Sequence, residues 1–382
     1  MKSKSTREEC TKKRLLVFPF IMKFSLIFFL FFCNSQISFG FKIRNHSNIM
    51  NSILINSWES PKLSSLSEIP SFDPKTCPAC IFNVRNRDNS NSSPSDVVIS
   101  SMFFQSFNLI PCIRSLRTTG SKCSAVIFTD TSLMNQITSE FQKIMNDCGC
   151  AIFSIGTLST KERKYLFMLR NIIANQFLEK NQNLFKRIIV FDLYDTIFQG
   201  DPFTADFYED VIGFSIETTK IRGNHFKGVS IILGSEKASS KCYKKKIVNC
   251  GTIIGTTKVV LKFLKLFIQQ TEKLSKSDFV DLIETQFPDQ AIVNSFICGG
   301  IFDENGIKYH LYHATDDYIS LYLLFRNKLN FTLGNFIWNS TKFPLLIHLF
   351  DRSKRFCKSV TKACPPTFNS TFPYIRCLNE FK

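Results

Sequence analysis

The stretch that decides the fold reads Arg187-Ile-Ile-Val-Phe-Asp192-Leu-Tyr-Asp195. Its apolar, partly β-branched run predicts a buried strand that ends directly at the carboxylate of Asp192. A second carboxylate, Asp195, follows three residues later. Ligands of open α/β sheets bind beside the carboxyl ends of the strands, so we expect a binding site at the end of this strand.

Strand-like and helix-like segments alternate before this strand. Short apolar runs predict strands at Val97–Ser101, Ala125–Thr129 and Ala151–Ile155. Segments with helical spacing lie between them and predict helices at Phe107–Leu116, Ser132–Met145 and Lys161–Leu178. This order predicts an α/β fold of the Rossmann type, with a mixed, mainly parallel sheet flanked by helices.

The pattern becomes less regular after residue 200. Apolar runs predict further strands at Val211–Ile216, Val229–Leu233, Lys246–Ile254, Lys308–Tyr312 and Leu345–His348. A long helix is predicted over Thr256–Glu272, and a shorter one begins after Asp289. We therefore predict a single domain over residues 96–355.

A basic stretch followed by an apolar run opens the chain. Residues 1–40 hold seven Lys and Arg against two Glu, and only Lys23 interrupts the run from Leu15 to Cys33. One interpretation is a signal anchor that makes a type II membrane protein, and the other is a signal peptide cleaved after Gly40, which gives a secreted protein. Both predict that residues 41–382 enter the secretory pathway, and the anchor would place them in the lumen of the Golgi or the endoplasmic reticulum.

Three further features agree with a lumenal location. Residues 41–95 are rich in Ser, Asn and Pro, as expected of a stem that holds a domain away from a membrane. Twelve of the 14 cysteines lie beyond residue 40, which predicts disulfides in an oxidising compartment. Glycosylation sequons occur at Asn45, Asn91, Asn330, Asn339 and Asn369.

The spacing of the cysteines leaves their partners open. Residues 356–382 form a predicted C-terminal tail that contains Cys357, Cys364 and Cys377. Cys77-Pro-Ala-Cys80 and Cys148-Gly-Cys150 also allow an interpretation as zinc half-sites, although neither has a His at ligand spacing.

The formal charge of +17 raises the question of a nucleic-acid partner. Beyond residue 40 the basic residues are scattered in short groups rather than gathered on one face with interleaved aromatics, so we expect no nucleic-acid binding. A basic surface suits anionic substrates equally well. The chain is 44% hydrophobic and 14% aromatic, which excludes disorder throughout.

Two carboxylates at one strand end need a compensating charge. Their mutual repulsion is relieved by a hard divalent cation, Mn²⁺ or Mg²⁺, which also holds a diphosphate. Acids at positions i and i+3 do not share a strand face, so the chain must turn directly after Asp192 for Asp195 to reach the same ion.

These residues resemble the GT-A fold glycosyltransferases, which transfer sugars from nucleotide-diphosphate donors. The chain is similar to the subset in which D-x-x-D precedes F-Q-x-D-P-F, here Asp192-Leu-Tyr-Asp195 and Phe198-Gln-Gly-Asp-Pro-Phe203. Three later segments resemble the N-x-G, D-Q-x-x-x-N and H-Q-Y-D-R elements of the family and follow its order, namely Asn249-Cys-Gly251, Asp289-Gln290-Ala-Ile-Val-Asn294 and His348-Leu-Phe-Asp351-Arg352.

The resemblance implies a metal site. Asp195 and His348 would bind Mn²⁺ or Mg²⁺ directly, and Asp192 would bind the metal through water or hold the donor ribose. The metal would stabilise the negative charge that develops on the leaving diphosphate.

The resemblance also implies a donor site and a reaction centre. Asn249 and Gly251 would line the donor sugar, which we expect to be UDP-linked. Asp289 and Gln290 would lie near the anomeric carbon. Arg163 lies on one predicted helix face with Arg170 and would contact the donor phosphate.

The expected reaction is transfer of a sugar to a glycan, protein or lipid acceptor, and the order of the motifs favours retention of configuration. Val190-Phe-Asp192-Leu-Tyr-Asp195-Thr196 also resembles the first motif of haloacid-dehalogenase-type hydrolases, which would make Asp192 a nucleophile. Leu193-Tyr194 and Leu349-Phe350 depart from the transferase pattern, so an inactive lumenal binding protein on a transferase scaffold is a third interpretation.

Overall fold

The structure is a computed structural model that describes residues 59–84, 91–103, 108–158, 165–204, 210–313, 318–321, 330–332, 335–338 and 344–367. The predicted N-terminal signal segment, Arg163 and Cys377 lie outside the described residues. Within these ranges, no helix combines the length and the apolar character needed to cross a membrane.

Most strands of the described chain join one sheet. The strands are β1 (Asp96–Met102), β2 (Ser124–Thr129), β3 (Cys150–Ser154), β4 (Arg187–Phe191), β5 (Thr196–Phe198), β6 (Val211–Lys220), β7 (Lys246–Thr256), β8 (Lys308–His313), β9 (Ile319–Leu321), β10 (Asn330–Thr332), β11 (Asn335–Trp338) and β12 (Leu346–His348). The main sheet has seven strands in the order β3-β2-β1-β4-β7-β6-β8. All its neighbouring pairs are parallel except the two that involve β7. The predicted mixed, mainly parallel sheet is confirmed.

Helices flank this sheet. They are α1 (Leu109–Thr118), α2 (Thr131–Met134), α3 (Ser139–Asp147), α4 (Leu166–Asn181), α5 (Gly223–Leu233), α6 (Ser235–Lys241), α7 (Thr257–Glu272), α8 (Lys276–Ile283), α9 (Pro288–Cys298), α10 (Ile301–Glu304) and α11 (Lys354–Ala363). Successive residues of a strand point to opposite faces, so β4 contributes to two cores. Ile188 and Val190 pack with α4, α7 and α9 on one face, and Ile189 and Phe191 pack with α1 on the other.

A small three-stranded sheet holds the last of the predicted motifs. β12 pairs antiparallel with β5 and parallel with β9, and His348 stands opposite Thr196 in this register. A 3₁₀ turn over Leu193–Asp195 connects β4 directly to β5. The small sheet therefore brings the late His beside the acid pair, although about 150 residues separate them along the chain.

One predicted strand is wrong. Val229–Leu233 is the last part of helix α5, not a strand. A short apolar run fits a strand and a buried helix equally well, and here the tertiary packing decides. Gly228 and Val229 are buried, while Lys227 is exposed, as expected of a helix with one face against the protein.

Three disulfides join described cysteines: Cys77–Cys148, Cys80–Cys364 and Cys242–Cys298. The prediction of disulfides is confirmed, and the zinc interpretation fails because three of its four cysteines are in disulfides. Residues 59–84 of the predicted stem share the core of the domain, since Leu63 and Ile69 are buried there.

Candidate metal and ligand site

The acid pair lies where β4 leaves the sheet. The 3₁₀ turn begins directly after Asp192 and brings Asp195 to the same side as Asp192, as the i and i+3 spacing requires. The backbone N–H of Asp192 donates to the carbonyl oxygen of Gly251 at 2.8 Å, which fixes the start of the turn against the neighbouring strand. The predicted turn is confirmed.

His348 completes a group of three potential ligands. Its Nε2 atom lies 3.1 Å from Oδ1 of Asp195 and 3.6 Å from Oδ2 of Asp192. One ligand atom from each of the three residues lies within 4.8 Å of the others. Two carboxylates and an imidazole are a donor set that suits Mn²⁺ or another divalent ion.

Two of the three candidate ligands, Asp195 and His348, have buried atoms that lack hydrogen-bond partners. The side chains of His348 and Asp195 are 2% and 11% exposed. Among the described residues, Oδ1 of Asp195 and both ring nitrogens of His348 find no hydrogen-bond partner. Leaving such atoms unsatisfied costs about 1–3 kcal/mol each. A cation between them would satisfy Oδ1 and Nε2 together, so the residues fit a bound metal.

A bulge in β7 brings the N-x-G segment to the same point. β6 pairs Phe214 with Ile253 but Ser215 with Asn249, so residues 250–252 bulge out of the ladder. A Cβ atom on Gly251 would overlap the ring of His348 and would lie 2.8 Å from Oδ2 of Asp192. Gly251 is therefore the residue that lets the bulge approach the candidate ligands.

Arg170 connects the acid pair to the D-Q element. It lies on α4 and forms ion pairs with Asp192 and with Asp289, the latter at 2.5 Å. Burial disfavours the charged guanidinium, but the anionic groups around it, led by Asp289, outweigh this effect and raise the pKa of Arg170. Arg170 therefore reaches the site, while Arg163, the other arginine of the predicted helix face, lies outside the described residues.

Asp289 and Gln290 lie in the first turn of α9, which begins at Pro288. Oδ1 of Asp289 accepts a hydrogen bond from the backbone N–H of Gln290 at 2.8 Å. An acid in the first turn interacts favourably with the helix dipole. Phe287, and not Asp289, is the N-cap residue, and the carboxylate of Asp289 pairs with Arg170.

Glu217 is a site residue that sequence reasoning missed. Its Oε1 atom accepts hydrogen bonds from Nδ2 of Asn249 at 3.0 Å and from Nε2 of Gln290 at 3.1 Å. Oδ1 of Asn249 in turn accepts from the backbone N–H of Gly251 at 2.8 Å. Glu217 thus fixes the orientation of two predicted side-chain amides, that of Asn249 in the donor site and that of Gln290 at the reaction centre. The available signal was the mainly apolar run Val211–Ile216, which an acid follows directly, as Asp192 follows the run of β4.

The site carries an excess of negative charge. Among the described residues of the site, the four carboxylates of Asp192, Asp195, Glu217 and Asp289 outnumber the guanidinium of Arg170. Burial, and then the charge of Asp195, raises the pKa of the nearby Asp351 from 3.8 to about 7. A divalent cation would balance this charge.

Comparison with known proteins adds no family assignment, because no protein-family model matches the chain and no curated protein matches it either.

Proposed function

We propose that the chain is a metal-dependent glycosyltransferase of the GT-A type, which moves a sugar from a UDP-linked donor to an acceptor. The observation that carries the proposal is the cluster of Asp192, Asp195 and His348, whose ligand atoms lie within 4.8 Å of one another. The N-x-G and D-Q elements named by the resemblance lie around the same cluster, through Gly251 and Asp289.

The residues of the site divide into three tasks. Asp195 and His348 would hold Mn²⁺, with Asp192 beside them, and the chemistry that such an ion supplies is compensation of the charge on the leaving diphosphate. Gly251 and Asn249 would line the donor sugar. Asp289 and Gln290 would lie at the anomeric carbon, where their side-chain oxygen atoms would stabilise oxocarbenium-like charge. Arg170 holds Asp289 through an ion pair, and Glu217 holds Gln290 through a hydrogen bond.

The location and the acceptor class belong to the same proposal. Disulfides between described cysteines suit an oxidising lumen, which supports a Golgi or endoplasmic reticulum enzyme held by its N-terminal segment or secreted after cleavage. The acceptor is a glycan, a protein or a lipid, and retention of configuration is the favoured outcome.

Thermal unfolding with UDP and Mn²⁺ tests the proposal. A ligand present at one hundred times its Kd stabilises the folded state by about 2.7 kcal/mol, so we expect a rise in Tm that EDTA reverses. His348→Ala and Asp195→Asn should abolish this rise. His310→Ala should keep it, because His310 is an exposed histidine on β8.

Two results would contradict the proposal. Stabilisation by Mg²⁺ with beryllofluoride, but not by UDP with Mn²⁺, would favour the hydrolase with Asp192 as its nucleophile. No response to either mixture would favour a binding protein on a transferase scaffold.

A further inference from the structure

An exposed aromatic ring stands directly before the D-Q element. Phe287 precedes Pro288 and Asp289, and it is 39% exposed. Its ring stacks on the ring of His225 with the centroids 4.8 Å apart and an angle of 7° between the planes. The ring of His225 covers one face of the Phe287 ring, so the exposed part of Phe287 lies on its other face and its edge. We call this stacked pair the 225/287 platform.

Helix packing holds the platform in place. One turn further along each helix, Gly228 of α5 lies so close to Ala291 of α9 that a Cβ atom on Gly228 would be 2.7 Å from the Cβ of Ala291. This contact sets α5 and α9 side by side at their first turns, where His225 and Phe287 lie. The glycine therefore lets the helices approach closely enough for the rings to stack.

The backbone before Phe287 adopts an uncommon conformation. Gln286 has a φ of 75°, in the left-handed region that residues other than glycine seldom occupy. Conformations of this kind cost about 1–3 kcal/mol and cluster at ligand sites. Here the left-handed residue leads the chain into Phe287 and the start of α9, and the ring of Phe287 is left partly exposed.

The platform adjoins polar groups of the candidate site. Glu217, which accepts from Gln290, acts electrostatically on His225. Burial lowers the pKa of His225, and Glu217 opposes this shift without reversing it. The lowered pKa favours the neutral form of the imidazole, which stacks on Phe287 as an aromatic ring.

We infer that the 225/287 platform is the binding subsite for a sugar ring of the acceptor, so that the acceptor is a glycan. The inference rests on the proposed glycosyl transfer. One face of a hexose carries mainly C–H groups that pack on an aromatic ring, while its hydroxyls at the rim need polar partners. The platform supplies the aromatic face on which the C–H groups pack. Glu217 and Gln290 lie beside it and supply polar partners for the hydroxyls.

Saturation-transfer NMR with four methyl glycosides, of glucose, galactose, mannose and N-acetylglucosamine, tests the inference on the full chain. We expect transfer to the ring C–H protons of at least one glycoside. Phe287→Ala should weaken its binding at least about fivefold, and Phe287→Trp should retain it because the larger ring keeps the face. Tyr243→Ala is the matched control, since Tyr243 is 46% exposed and meets Phe226 edge to face.

The same samples separate this inference from the proposed function. Glycoside binding requires neither UDP nor Mn²⁺, and Phe287→Ala should keep the Tm rise with UDP and Mn²⁺ because Phe287 is not one of the candidate ligands. The subsite is overturned if the wild type binds none of the glycosides or if Phe287→Ala binds them as the wild type does. A wild type that binds glycosides at the platform but shows no response to UDP and Mn²⁺ overturns the transferase and leaves a sugar-binding site.

Discussion

At the scale of single residues, Gly251 is the most restrictive position of the candidate metal site. A side chain there would enter the space of the His348 ring and approach Asp192. We predict that Gly251→Ala weakens Mn²⁺ binding at least about tenfold, because the imidazole must move away from the carboxylates. Titration with Mn²⁺ followed by electron paramagnetic resonance measures this affinity.

Cys250→Ala is the control for this variant, since it changes the neighbouring residue of the same bulge without adding an atom. Mn²⁺ affinity equal to that of the wild type in Gly251→Ala would show that His348 takes no part in binding the ion.

Glu217 provides a second prediction at this scale. Hydrogen bonds to a charged group contribute about 1.5–3 kcal/mol each, and Glu217 accepts two, from the side-chain amides of Asn249 and Gln290. We predict that Glu217→Ala lowers kcat for sugar transfer by about tenfold or more, while the affinity for UDP with Mn²⁺ is unchanged. Glu217→Gln should restore most of kcat, because its carbonyl oxygen still accepts from both amides.

Loss of UDP affinity in Glu217→Ala would indicate a general disturbance of the fold instead of a role in orienting Asn249 and Gln290. The comparison of kcat with KM for the donor separates these outcomes.

At the scale of elements, the sequence predicts regular strands better than irregular ones. β1 to β4 are correct because each is a short apolar run bounded by helical segments, so pattern and packing agree. The strand predicted at Val229–Leu233 is a helix because the run alone does not distinguish the two. The bulges of β6 and β7 depend on the register in which the two strands pair, so the sequence of either strand alone does not predict them.

The same limit applies to the site. The motifs predict Asp192, Asp195 and His348, and the structure brings these residues together. Glu217 and Arg170 act through partners that lie 32 and 119 residues away, so their roles follow only from the folded arrangement.

The contact between α5 and α9 supports a prediction about packing. The methyl group that Gly228→Ala adds would lie only 2.7 Å from the Cβ atom of Ala291. Overpacking of this kind costs about 1–3 kcal/mol, so we expect the variant to unfold at a lower denaturant concentration. The swapped pair, Gly228→Ala with Ala291→Gly, should recover most of the loss. Additive effects of the two changes in a double-mutant cycle would argue against direct contact.

At the scale of the whole molecule, one disulfide ties the two ends of the described chain together. Cys80–Cys364 spans 284 residues, and its cluster includes Ile197 of β5 and Ile347 of β12. These strands hold Thr196 and His348 in register. The sequence predicts disulfides from composition, but their partners depend on how the chain ends fold back.

We predict that replacing Cys80 and Cys364 together by Ser lowers the free energy of unfolding by about 3–5 kcal/mol. Mn²⁺ affinity should fall as well, because the small sheet that carries His348 loses its support. Replacing Cys242 and Cys298 is the control, since this disulfide ends α9 and should affect stability but not Mn²⁺ affinity. If the variant without Cys80 and Cys364 binds Mn²⁺ as tightly as the wild type at a temperature well below its Tm, the disulfide does not support the metal site.

The central claim is that Asp192, Asp195 and His348 together hold one divalent cation. Anomalous scattering at the manganese absorption edge, from crystals grown with Mn²⁺ and UDP, tests it most directly. We predict one strong peak within about 2.0–2.3 Å of Nε2 of His348 and of an Asp195 oxygen, with Asp192 bound directly or through one water. A manganese peak elsewhere, or density for UDP with no metal between these side chains, would contradict the claim.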